Sequence, residues 1–165
     1  MRSSTLLLPL LLLVSCATAG GVPPIQMATA PAAEEEAVVG VIVGVFDAMR
    51  AADSTAFRAG MHREARLTTV VDRDGQSSIQ VVPMDAFITA VGTARTEVWD
   101  ERISRPEVRV DGNLATAWMN YSFYRGDQFS HCGVNAMQLH RGEQGWRIVQ
   151  IADTRRQEGC GPVQN

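Results

Sequence analysis

His131 and Asp153 are the side chains in this sequence best placed to move a proton. An unperturbed imidazole titrates near pH 6.5 and can act as acid or base. A carboxylate near the end of an apolar strand would be raised toward the same range if it were buried. A second set, Trp118, Asn120, Tyr124, His131, Asn135 and Gln150, mixes aromatic surfaces with amides and one imidazole. Small-ligand sites need that mixture, because apolar area supplies affinity while a few polar groups set orientation. These six are the candidate ligand-binding residues, and His131 and Asp153 the candidate catalytic ones. Each has a plainer reading: His131 as a hydrogen-bonded or exposed residue at a strand start, Asp153 as the partner of Arg155 or Arg156, and the aromatics as a dimer face.

Other chemistries lack residues. The chain has 15 Lys and Arg in total, and every one is Arg. Schiff-base chemistry and the lysine of a phosphate-binding loop are thereby excluded. His62 reads as a backbone-bonding residue at a strand entry and His140 as an exposed one beside a turn. The three His and three Cys have no H-x-x-x-H or C-x-x-C spacing, so no metal is expected. Asp72-Arg73-Asp74-Gly75 resembles half a calcium loop, but no Glu follows at the required distance and a turn explains it. G-x-S-x-G, G-x-G-x-x-G and Walker patterns are absent, and no cofactor is expected. A net charge of -3 and a pI near 5.6 give no basic footprint for nucleic acid. With 45% hydrophobic and 20% charged residues the composition is that of a globular domain.

The first residues carry an address. Arg2, an apolar run from Leu6 to Val14 and then Leu13-Val14-Ser15-Cys16 read as a signal peptide with lipobox over 1–16, whose Cys16 is acylated after cleavage. Ala17-Thr18-Ala19 offers an ordinary cut after Ala19 instead. The run falls short of the about 20 residues of a membrane span. The expected location is the cell envelope on the periplasmic side, as an outer-membrane lipoprotein held through Cys16, with a soluble periplasmic or secreted protein as the alternative. In that oxidising space Cys132 and Cys160 would form a disulfide closing a loop of about 28 residues, stabilising the fold by about 3 to 4 kcal/mol. Two separate thiols remain the other possibility. Adjacent strand residues face opposite ways, so Cys132 beside His131 is a poor nucleophile candidate.

Four kinds of element must position these residues. Residues 17–33 read as an Ala, Pro and Thr-rich flexible linker, and 34–160 as one domain with a tail at 161–165. Acidic residues from Glu34 open a helix over 34–52 whose Val38, Ile42, Val45, Phe46 and Met49 recur at helical steps. Asp53 caps a short helix from Ser54 to Gly60. Strands at 65–72 and 77–82 flank a hairpin turn, and a helix over 84–93 follows Pro83. From Val98 to Asp153 the chain alternates strands and turns, with turns at 111–113, 125–127 and 142–145. With tight turns, alternation places Trp118, Asn120 and Tyr124 on one face with His131, Asn135, Met137, Trp146 and Gln150. Met119, Tyr121, Phe123, Ile151 and Asp153 fall on the other. Asp153 then faces away from His131 unless a bulge intervenes.

The order helix, helix, hairpin, helix and long strands resembles the nuclear transport factor 2-like superfamily. The segments Phe129 to Leu139 and Gly145 to Arg156 look like its last two strands. The latter is similar to the branch of SnoaL-like and "putative lumazine-binding" bacterial members, and Met61 to Leu67 resembles the entry to their first strand. The resemblance covers about 34 to 160. It implies an α+β fold in which a curved antiparallel sheet wraps three N-terminal helices into a cone, often dimeric through the convex face. Members include isomerases, cyclases and dehydratases as well as domains without known ligand. The residues therefore leave three functions open: binding a small apolar or aromatic molecule in the cone, isomerase, cyclase or dehydratase chemistry with His131 or Asp153 as base, and a dimeric interaction module with a self-filled cone.

Overall fold

The computed structural model describes residues 32–93, 96–160 and 163. The signal peptide, Cys16, both cleavage points, the linker up to residue 31 and the tail apart from Val163 lie outside the described residues. Helix α1 spans Ala32–Arg50, with Glu34 and Glu35 in its first turn and Arg50 in its last, each complementing the helix dipole. Its buried stripe is Val38, Ile42, Val45, Phe46 and Met49. The helix ends earlier than 52 because Ala52 takes a positive φ of 55° and the Asp53 N–H turns back to the Ala48 carbonyl at 2.9 Å. That left-handed residue with its backward bond stops the helical ladder. The Asp53 side chain then accepts from the Ala56 N–H at 2.9 Å and starts α2, Ser54–Gly60.

Strands β1, Met61–Arg73, and β2, Gln76–Val82, form a hairpin over Asp74 and Gly75, both at positive φ. Helix α3, Met84–Gly92, follows Pro83. Then come β3, Trp99–Ile103; β4, Glu107–Asp111; β5, Leu114–Arg125; β6, Gln128–Gly142; and β7, Gly145–Arg155. The sheet order is β2-β1-β7-β6-β5-β3, and β5 is long enough to pair β4 along its first half. The expected antiparallel sheet is in fact mixed, because β1 and β7 pair in parallel. Both leave the same end of the sheet, β1 from α2 and β7 from the tight turn after β6, so they must run the same way.

The three helices cover one face of the curved sheet, an α+β cone. Val38 and Ile42 of α1, Phe57 of α2 and Val91 of α3 meet Met119, Leu139 and Ile148 of the sheet with at most 2% exposure. Each such side chain contributes about 1.5 to 3 kcal/mol on burial.

Two bulges decide which residues face this core. Along β5 and β6, Phe123 pairs His131 but Tyr124 pairs Phe129, leaving Ser130 as an extra residue. Along β6 and β7, Gln138 pairs Gln150 but Leu139 pairs Ile148, leaving Val149 over. An extra residue exchanges the faces of everything beyond it. The face expected for Trp118, Asn120, Tyr124 and Gln150 is therefore corrected: they lie on the outer side of the sheet, and Tyr121, Phe123, His131, Asn135, Ile151 and Asp153 share the inner side.

Candidate functional site

Near the C-terminal end of α1 the core does not close. A cavity of about 50 Å³ remains, bounded by Val45, Phe46 and Met49 of α1, Phe57 of α2 and Phe87 of α3. The sheet supplies Glu101 from β3, Tyr121 from β5, His131 and Asn135 from β6, and Asp153 and Arg155 from β7. One wall is thus apolar and the opposite wall polar. His131 and Arg155 also border an open groove with Asp72, Arg73, Ser130 and Glu158, which makes them the rim of the cavity.

Asp153, 5% exposed, is held by three donors: the Thr69 hydroxyl at 2.6 Å, the Arg155 Nε at 2.9 Å and the Tyr121 hydroxyl at 3.3 Å. Tyr121 also donates to the Thr154 carbonyl at 2.8 Å. Burial raises the Tyr121 hydroxyl far above its ordinary range, and the Asp153 and Glu101 carboxylates raise it further. It stays a neutral donor. Its ring reaches over β6 because Gly133 lies beneath: a Cβ there would fall 1.8 Å from the Thr154 carbonyl oxygen and 2.8 Å from the Tyr121 ring. Only glycine leaves room for that approach.

Glu101 accepts from the Asn135 amide at 2.7 Å. Burial pushes its carboxyl up to about 7; the Asn135 bond pulls down, the Asp153 carboxylate adds to the rise and Arg155 opposes it. His131 goes the other way. Burial lowers its imidazole to about 4, the charge of Arg155 lowers it further, and Asp153 works against both. Its ring lies 5.0 Å from that of Phe123 and 5.7 Å from that of Tyr121, with Nδ1 3.0 Å from the Ser130 hydroxyl. At neutral pH it is an uncharged imidazole, and Glu101 is the group that titrates there.

The structure thus brings His131, Asn135 and Asp153 together and leaves the other sequence candidates outside. Trp118 is 55% exposed on the outer face, where it borders a shallow groove with Gln150, Ala136 and Ala152. Gln150 bonds the Thr68 hydroxyl at 3.2 Å and the Ile151 carbonyl at 2.9 Å. Tyr124 packs under the Arg102 guanidinium at 4.2 Å and against Phe129. Asn120 is exposed, its backbone bonded to Ser104. Sequence reasoning missed Glu101, Tyr121 and Arg155. For Glu101 a signal existed: it alternates with Trp99 and Ile103, so it shares their inward face.

Cys132 and Cys160 are joined by a disulfide with Cα atoms 5.9 Å apart. Arg156 exchanges two backbone bonds of 2.9 Å with Cys132, which seats the segment after β7 before the disulfide closes it. Among the described residues no group of three or more His, Cys, Asp or Glu is arranged to hold a metal ion.

Residues 33–152 match the family model described as "Putative lumazine-binding". No curated protein matches the sequence. Solved structures share the fold. A nuclear transport factor 2-like protein with a cystatin-like fold from Novosphingobium aromaticivorans superposes with a TM-score of 0.61 at 14% identity, over 80% of this chain and 87% of that one. A protein of unknown function from Mycobacterium tuberculosis gives 0.62 at 14% identity over 82% and 84%. A nuclear transport factor 2-like superfamily protein from Salmonella enterica gives 0.58 at 16% over 81% and 99%. At such identities the likeness concerns the fold alone.

Proposed function

Because the chain belongs to the putative lumazine-binding family of the nuclear transport factor 2-like superfamily, we propose that its cone binds a small molecule by one polar end. The observation that carries this is the polar wall of Glu101, Asn135, Tyr121 and Asp153 facing Phe46, Phe57 and Phe87 across one cavity. Apolar rings supply contact area and the polar wall fixes orientation. A space of about 50 Å³ admits the end of a ligand, and the remainder extends past His131 and Arg155 into the outer groove. Native mass spectrometry of the purified chain should show an extra mass that is released on unfolding. Filling the space with Ile151→Phe should abolish it; an adduct that survives this substitution would place the ligand elsewhere.

A second reading, acid-base catalysis, rests on Glu101. Its carboxyl near 7 is poised to take or give a proton at neutral pH, which His131, at about 4, does not offer. It predicts an activity rising with pH through about 7 and lost in Glu101→Gln.

We also propose export with a lipid anchor on Cys16 at the periplasmic side. The disulfide between Cys132 and Cys160 supports an oxidising compartment. Metabolic labelling with palmitate should mark the chain and fail with Cys16→Ser. The outer sheet face, with Trp118 and with Ile79 and Val81 at 70% and 71% exposure, supports a homodimer. Trp118→Glu should convert it to monomer in light scattering, whereas an unchanged mass would remove this face from consideration.

A further inference from the structure

The hydrogen-bonding positions that the polar wall leaves open, and the charge beside them, select a ligand chemistry. Apart from the terminal nitrogens of Arg155, which sits at the rim, its donors are engaged within the wall: Thr69 and the Arg155 Nε on Asp153, and Tyr121 on Thr154 and Asp153. The Asn135 amide nitrogen is engaged on Glu101. Around Glu101 and Asn135, what stays open are acceptors. Asn135 is 3% exposed and its Oδ1 has no partner among the described residues, nor has the second carboxyl oxygen of Glu101. No side-chain oxygen or nitrogen among the described residues is both sealed from solvent-accessible space and unbonded, so these two atoms reach accessible space, and both residues line the cavity.

Charge points the same way. Asp153 has Arg155 as its cation at 2.9 Å, whereas Glu101 has no ion-pair partner among the described residues. On its own strand, Asp100 pairs with Arg102 and with Arg50 of α1. From α1 it meets Phe46 and borders a groove with the Asp47–Arg50 ion pair, from β5 it meets the neutral Tyr121, from β6 Asn135 and the uncharged His131, and from β7 the Asp153–Arg155 pair. An ionised Glu101 here lacks a counter-charge. An incoming carboxylate would meet the Glu101 carboxyl group, which has no cation of its own, whereas an incoming ammonium would meet two open acceptors, the second Glu101 oxygen and the Asn135 Oδ1.

We infer that the ligand end seated in this cavity is a cationic N–H donor, an amine or amidine, held by Glu101 and the Asn135 carbonyl. This rests on the cone-binding reading above and names its ligand class. The amine takes the place of the proton on Glu101, so binding releases a proton and strengthens as pH rises through about 7. Below that pH the affinity falls by up to about tenfold per unit.

The test is isothermal titration of the full chain with benzylamine, benzyl alcohol and benzoate, three probes of one shape and different charge. Benzylamine should bind best, about tenfold tighter at pH 8 than at pH 6, and at pH 6 its binding heat should vary with buffer ionisation enthalpy with a slope that reports the proton released. Glu101→Gln should abolish the pH dependence, and Asn135→Asp, which adds a second open carboxylate, should tighten the amine. Benzoate or benzyl alcohol binding as well as the amine, or amine binding unchanged in Glu101→Gln, would overturn the amine inference while leaving a ligand-binding cone. If none of the three binds and the native protein carries no adduct, the cone-binding reading falls with it.

Discussion

Glu101 and His131 border one cavity, and burial moves them in opposite directions because it disfavours whichever form is charged. The Glu101 carboxyl goes from 4.5 to about 7, so in the folded protein it ionises later than in the unfolded chain. The unfolded state is then favoured as pH rises from about 4.5 to about 7, a loss of roughly 3 kcal/mol across that window. His131, lowered from 6.5 to about 4, binds its proton more readily when unfolded, so stability falls as pH drops through the same range. Urea unfolding should therefore show Glu101→Gln stabilised relative to the parent at pH 8 and close to it at pH 4; equal stability at both would mean the carboxyl is solvated. At Gly133 the constraint is steric. Gly133→Ala should cost about 3 kcal/mol and break the bond from Tyr121 to Thr154, readable as a shifted near-ultraviolet tyrosine signal.

At the scale of elements, bulges and short connections carry the site. The extra Ser130 turns His131 inward beside Phe123, and the extra Val149 turns Ile151 and Asp153 toward Met137 and Asn135. Deleting Ser130 would restore plain alternation and send His131 to the outer face. The segment after β7 is a second such element: paired through Arg156 to Cys132 and closed by a bond spanning 28 positions, it ends beside the groove. Cys132→Ser together with Cys160→Ser should lower stability by about 3 kcal/mol and abolish any response to reductant. A double variant as stable as the parent would mean that the backbone pairing alone holds the segment.

For the whole molecule, the layering of three helices on a curved sheet follows from patterns visible along the chain. The stripe from Val38 to Met49, the turn residues Asp74-Gly75 and Gly112, and long alternating strands each act within a few residues, so elements and fold class were legible without coordinates. The acid-base pair named from residue type, His131 and Asp153, does lie at one cavity, but the alternation rule had sent them to opposite faces. That rule counts residues and cannot register a bulge, whose position depends on which neighbouring strand offers a partner. The aromatic set around Trp118 went to the wrong face for the same reason. Glu101 carried only its alternation with Trp99 and Ile103, and its partner is set when β3 reaches the edge of the sheet and places it against Asn135, 34 positions away. The sequence by itself thus determined the elements, the order in which they fold back and the absence of lysine chemistry, since propensity, capping and period are local. Only the tertiary structure decided which side chains share the cavity and how their protons are held, because register, burial and the charges across a cavity belong to segments distant in sequence.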